Sequence, residues 1–101
     1  MSPPRLDDVF VHSPRVVGRP IGDEYVLVPL VGRGADLDSI LNLNKVGAFI
    51  WEQLDGRRDG SAVVEALVEH FEVERSEAER DYVDFLTTLR GLKAAVPAGP
   101  V

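Results

Sequence analysis

Apolar positions change period along the 101-residue chain, and the changes mark an arm, a strand region and three helical segments. Val16, Val17 and Ile21, then Tyr25 to Val31, are β-branched or aromatic runs parted by Gly22-Asp23, so they predict a hairpin. Pro29 conflicts with a central strand. Proline donates no ladder hydrogen bond, so the second strand is expected to stop, bulge or turn an unpaired edge outward near Val28. After a Gly32-Arg33-Gly34 loop, residues 36 to 43 alternate, with Leu37, Leu41 and Leu43 on one face and Asp38, Ile40 and Asn42 on the other. That alternation predicts a third strand.

From there the period lengthens to that of a helix. Asn44 is placed to cap a first helix carrying Val46, Phe49, Ile50 and Leu54, and Gly56 suits its left-handed C-terminal position. Asp59 is expected to cap a second helix, with Val63, Val64, Leu67, Val68 and Phe71 inward and Glu65 and Glu69 outward. Ser76 and Glu79 form a capping-box pattern ahead of a third, whose inner stripe is Ala78, Tyr82, Phe85, Leu86 and Leu89 and which Gly91 ends. Phe49, Trp51, Leu67, Phe71 and Leu86 are the expected core. The Asp55-Gly56-Arg57-Arg58-Asp59 run reads as a solvated turn.

These segments place one folded domain, the candidate peptide-binding unit, at residues 15–92, an N-terminal arm at 1–14 and a flexible C-terminal tail at 93–101. Leu6, Val9, Phe10 and Val11 give the arm apolar surface with which to dock, or to exchange in a homodimer. A three-stranded antiparallel sheet followed by three amphipathic helices is an α+β arrangement. The helices cover one sheet face; the other face and one strand edge stay open.

Composition then removes function classes. Apolar residues at 45% and charged residues at 28% are ordinary globular values. The apolar run Tyr25 to Val31 falls far short of the ~20 residues a spanning helix needs, and no apolar stretch follows a basic start, so a cytoplasmic protein is expected. Cysteine is absent, and His12 and His70 lack a partner at metal-ligand spacing. No metal or cofactor is expected. Nor is an enzyme, because there is no glycine-rich phosphate loop, no hydroxyl with a nearby histidine and no carboxylate pair placed across a cleft.

A formal charge of −6 bears on partners, since nucleic-acid binders gain affinity by neutralising phosphates. The alternative reading as a winged-helix DNA-binding transcriptional regulator would use the third helix for recognition. Between Glu74 and Arg90 that segment holds five acids (Glu74, Glu77, Glu79, Asp81, Asp84) against three arginines (Arg75, Arg80, Arg90). Charge therefore disfavours it. A module that docks two proteins stays open as a further alternative.

Tyr25-Val26-Leu27-Val28, Leu43-Asn44, Ile50-Trp51, Leu54-Asp55-Gly56, Val63-Val64, Leu67, Phe71-Glu72-Val73, Asp81 and Phe85-Leu86 follow one another in an order and spacing that resemble the PqqD family, the small peptide-binding proteins also called RiPP recognition elements. The resemblance implies a winged-helix-like fold and a non-catalytic role. The leader of a ribosomally made precursor peptide would add as a strand to the third strand and lie against the third helix, while a partner enzyme, often of the radical-SAM type, modifies the peptide. The peptide-binding positions so implied are Leu37, Asp38, Ser39, Ile40, Leu41 and Asn42 on the strand, and Glu79, Val83, Leu86 and Thr87 on the helix. Plainer readings stand beside them: Ile40 packing under the arm, Val83 a singly exposed hydrophobe, Trp51 core, Asp81 and Asp84 solvated. Relatives that serve pyrroloquinoline quinone synthesis carry a tight proline-containing turn before the Leu-Asn pair. Here Val28 to Asp36 makes a longer, glycine-rich connection, which speaks against that pathway.

Overall fold

The computed structural model describes residues 3–31, 34–35 and 40–98. Strands β2 (Val16–Ile21) and β3 (Glu24–Val31) form the expected hairpin, closed by Gly22 at φ 61°. β3 also pairs with β4 (Gly34–Ala35) at its far end and with β5 (Leu41–Leu43) near its start. Of the expected third strand, residues 36–39 lie outside the described residues.

β3 runs through Pro29 without stopping. The Leu30 N–H donates to the Arg15 carbonyl on the β2 side (2.7 Å), and successive N–H groups of a strand alternate sides, so position 29 turns its nitrogen toward β4 and β5. There β5 pairs with residues 25–27 and β4 with 30–31, and no described residue pairs with position 29 on that side. Among the described residues the missing N–H removes no ladder bond.

Helix α1 (Lys45–Gln53) starts where Asn44 accepts a hydrogen bond from the Gly47 N–H (2.8 Å), and α2 (Gly60–Phe71) where Asp59 accepts from Ala62 (2.9 Å). α3 (Arg75–Gly91) begins one residue before Ser76, which puts that serine inside the first turn. The expected capping box does not form, and Glu79 instead pairs with Arg75 at 2.8 Å. The helices bury Ile50, Trp51, Val63, Val64, Leu67, Tyr82, Leu86 and Leu89 against Leu27 and Leu43 of the sheet. Trp51, Leu67 and Leu86 are core as expected. Phe49 and Phe71 are only half-buried, because they sit on the rim with His70, whose ring stacks on Phe49 at 4.6 Å.

Both chain ends depart from the expected arm and tail. Val9–His12 forms β1, the middle strand of a second sheet between β6 (Asp55–Asp59) and β7 (Ala95–Pro97). The Asp55–Asp59 run is therefore a strand rather than a solvated turn, with Gly56 at φ 81° where the β1–β6 register shifts. Asp55 accepts from the Arg57 and Arg58 N–H groups, and the first of these bonds does most to hold its carboxyl below the usual range. Residues 94 and 95 are buried rather than frayed, clamped by bonds from Ser13 N–H to the Ala94 carbonyl and from Ala98 N–H to the Val9 carbonyl, each 2.8 Å. Both edges of β1 are paired within its own chain.

The arm also finishes α2. Its first two N–H groups, Gly60 and Ser61, donate to the carbonyls of Asp8 (3.1 Å) and Leu6 (2.9 Å). A Cβ at position 60 would stand 2.9 Å from the Leu6 Cα, so only glycine admits this approach. Below it lies Tyr82, whose phenol is pushed up to about 12 by burial and then by the charges of Asp8 and Asp59.

Candidate functional site

β5 is an edge strand: β3 covers one side, and no described strand pairs with the other. Which groups it leaves open follows from the bond at Leu30. If Leu30 faces β2, then Tyr25 and Leu27 face β5, and in an antiparallel ladder they exchange both bonds with their partners Leu43 and Leu41. The N–H and C=O of Asn42 then point away from the sheet. By the same alternation so does the backbone of Ile40.

Facing this edge is the flank of α3. One cavity of about 200 Å³ is lined by Leu41, Leu43, Asn44, Gly47, Phe85 and Thr88, and a second of about 270 Å³ by Val46, Ile50, Asp81, Asp84 and Phe85. Asn44, Gly47, Phe85 and Thr88 line both, so the two read as one cleft. A Cβ at Gly47 would stand 3.2 Å from the Phe85 ring and begin to close it.

A larger depression than either lies elsewhere, on the outward face of the β2–β3–β5 sheet, about 550 Å³ over Val17, Ile21, Val26, Val28, Leu30 and Ile40. Ile40 thus lies in the open face rather than under the arm. An antiparallel sheet with one face on helices usually turns a polar face to water, and this one is mostly apolar. It offers no unpaired backbone group. The cleft combines an open strand edge with apolar and charged walls, which is what an extended chain requires.

Of the expected strand positions, Leu37, Asp38 and Ser39 lie outside the described residues. Leu41 and Asn42 line the cleft, and Ile40 and Asn42 line the outward face. The helix positions are out of phase. Glu79 is engaged by Arg75, Val83 packs on the core, Leu86 is fully buried, and Thr87 bonds back to the Val83 carbonyl (2.7 Å). Asp81, Asp84, Phe85 and Thr88 hold the wall instead. Sequence reading also missed His12, which stacks on the buried Trp51 indole at 3.6 Å while its Nε2–H donates to the Trp51 carbonyl (2.6 Å).

A family model described as coenzyme PQQ synthesis protein D (PqqD) matches residues 24–93, more than half of the chain. The chain belongs to the PqqD family. Two solved structures place this PqqD-family fold further. One, TbiB1 in complex with the TbiA(beta) leader peptide, is 30% identical, covers 90% of this chain and 98% of its own, and superposes with a TM-score of 0.69. The other, lasso peptide synthetase B1 complexed with the leader peptide, is 28% identical, covers 87% and 98%, and gives 0.71. The curated proteins give no match. The α+β, winged-helix-like architecture read from the sequence is the architecture of the family, and this chain has a second sheet in which both chain ends join β6. No helix among the described residues is long and apolar enough to cross a membrane.

Proposed function

We propose that this protein is a non-catalytic recognition element that captures the leader of a ribosomally made precursor peptide and holds it for a modifying enzyme in the cytoplasm. The observation that carries the reading is the outward-facing backbone of Asn42 on the open edge of β5, set beside a cleft walled by α3. A leader laid along that edge gains main-chain hydrogen bonds, and the cleft receives alternate side chains. Both structural neighbours are leader-peptide complexes, and one of them is a lasso peptide synthetase component. The partner enzyme is therefore better sought among lasso-peptide maturation enzymes than among radical-SAM proteins.

A short ladder with two or three anchored side chains supports a Kd near micromolar, about −8 kcal/mol. Asn42→Pro tests the edge, because it deletes the outward N–H and leaves the bonds to β3 in place, and proline is tolerated on edge strands in that orientation. With the leader of the cognate precursor peptide as ligand, the variant should keep its melting midpoint within a few degrees and lose at least tenfold in affinity. Amide shifts should cluster at residues 40–44 and 81–88. Wild-type affinity in Asn42→Pro would rule out strand addition at this edge.

A further inference from the structure

The β2–β3–β5 sheet has a second edge, and the chain treats it differently from β5. β2 is paired with β3 on one side and with no described strand on the other. The bond from Leu30 to Arg15 sets the phase of this ladder, so positions 17, 19 and 21 bond toward β3 while Val16, Gly18 and Pro20 turn their backbone outward. The N–H of Val16 donates to the Ser13 carbonyl (3.2 Å) across a turn with Pro14 at its second position, and Pro20 has no N–H to give. Of three outward positions, Gly18 alone keeps a donor for a neighbouring strand.

Other features of β2 favour pairing. Val16, Val17 and Ile21 are β-branched, and Val17 and Ile21 are 39% and 58% exposed on the outward sheet face, the kind of apolar edge on which a further strand readily adds. Pro20 itself costs the sheet no bond, because the position is exposed and its neighbours 19 and 21 make the ladder to β3. A molecule with one open edge adds one strand. With two open edges it adds to its own copies, since β5 of one then fits β2 of the next in a head-to-tail contact that repeats from copy to copy.

We infer that Pro20 keeps β5 of one copy from pairing with β2 of another, so that the edge at Asn42 stays available to an extended chain from outside. The inference rests on the β5 edge being open and not on which peptide fills it. Gly18 by itself gives a strand laid against β2 a single donor, with no second N–H two residues on to fix the register. A residue other than proline at position 20 supplies that second donor.

The experiment is Pro20→Thr, followed by sedimentation velocity over a range of protein concentrations and by amide hydrogen exchange. The variant should melt within a few degrees of wild type, since no bond to β3 changes. It should self-associate about tenfold more tightly than wild type, the worth of one restored hydrogen bond at each contact. Species larger than a dimer should form, with exchange slowed at residues 18, 20 and 42. Adding Asn42→Pro, which removes the outward donor of β5, should return Pro20→Thr to the sedimentation of wild type. Association that persists in the double variant would overturn the pairing with β5. A Pro20→Thr protein that sediments like wild type at every concentration would overturn the role of Pro20 altogether. Leader titration of Asn42→Pro alone reports on the proposed function without involving position 20, so the two readings fail separately.

Discussion

Gly18 shows how tightly single positions are fixed. It sits on the inward face of β2, where an added Cβ would lie 2.7 Å from both the Trp51 Nε1 and the Tyr25 hydroxyl oxygen. Two large rings cannot both retreat, so Gly18→Ala should destabilise by ~1–3 kcal/mol, the usual cost of overpacking, read as a lower urea midpoint at unchanged slope. Tyr82 makes a different demand. Its folded pKa is raised from 10.0 to about 12, so the unfolded chain releases the proton first as pH climbs. Stability is fully present below pH 10 and should fall by roughly 3 kcal/mol as pH rises through about 12. Tyr82→Phe should remove that loss, so the difference between the two urea-melt series across this window isolates the phenol.

At the scale of elements, what the sequence reveals depends on how local the signal is. Asn44 and Asp59 each find their donor three residues on, and Gly22 closes a two-residue hairpin, so these caps and turns are legible as written. The second sheet is not. Its strands are an all-polar run, an arm and an alanine–proline stretch, and nothing near residue 10 announces partners near 57 and 96. The cleft wall was misphased for another reason. A helix turns about 100° per residue, so naming Val83 and Thr87 rather than Asp84 and Thr88 rotates the face by one position, and the apolar stripe alone does not say which flank meets a strand edge. Ending the chain after Lys93 tests the sheet directly. Loss of the two 2.8 Å clamps and of buried Ala94 and Ala95 should cost on the order of 2 kcal/mol, about 10 °C in melting midpoint for a domain of this size. A midpoint within 2 °C of the parent would return residues 94–98 to the status of a tail.

For the molecule as a whole, the acidic balance of −6 disfavours nucleic acid as a partner, and the two structural neighbours are complexes with leader peptides. The Cα radius of gyration is 13.4 Å, what a domain of this length shows when one core serves the whole chain. β1 joins that core from both sides, pairing Val11 with Val96 and with Asp55. Its position therefore orders the folding in time. During synthesis the arm, the hairpin, α1 and α2 all leave the ribosome before β7 does, so the β1–β7 pairing is the last to become available. Closure of the chain ends is the highest-separation event in the fold, and it carries the largest loop entropy. Until it happens, one edge of β1 stays unpaired, and the nascent protein shows the cell an open strand that the finished one has put away.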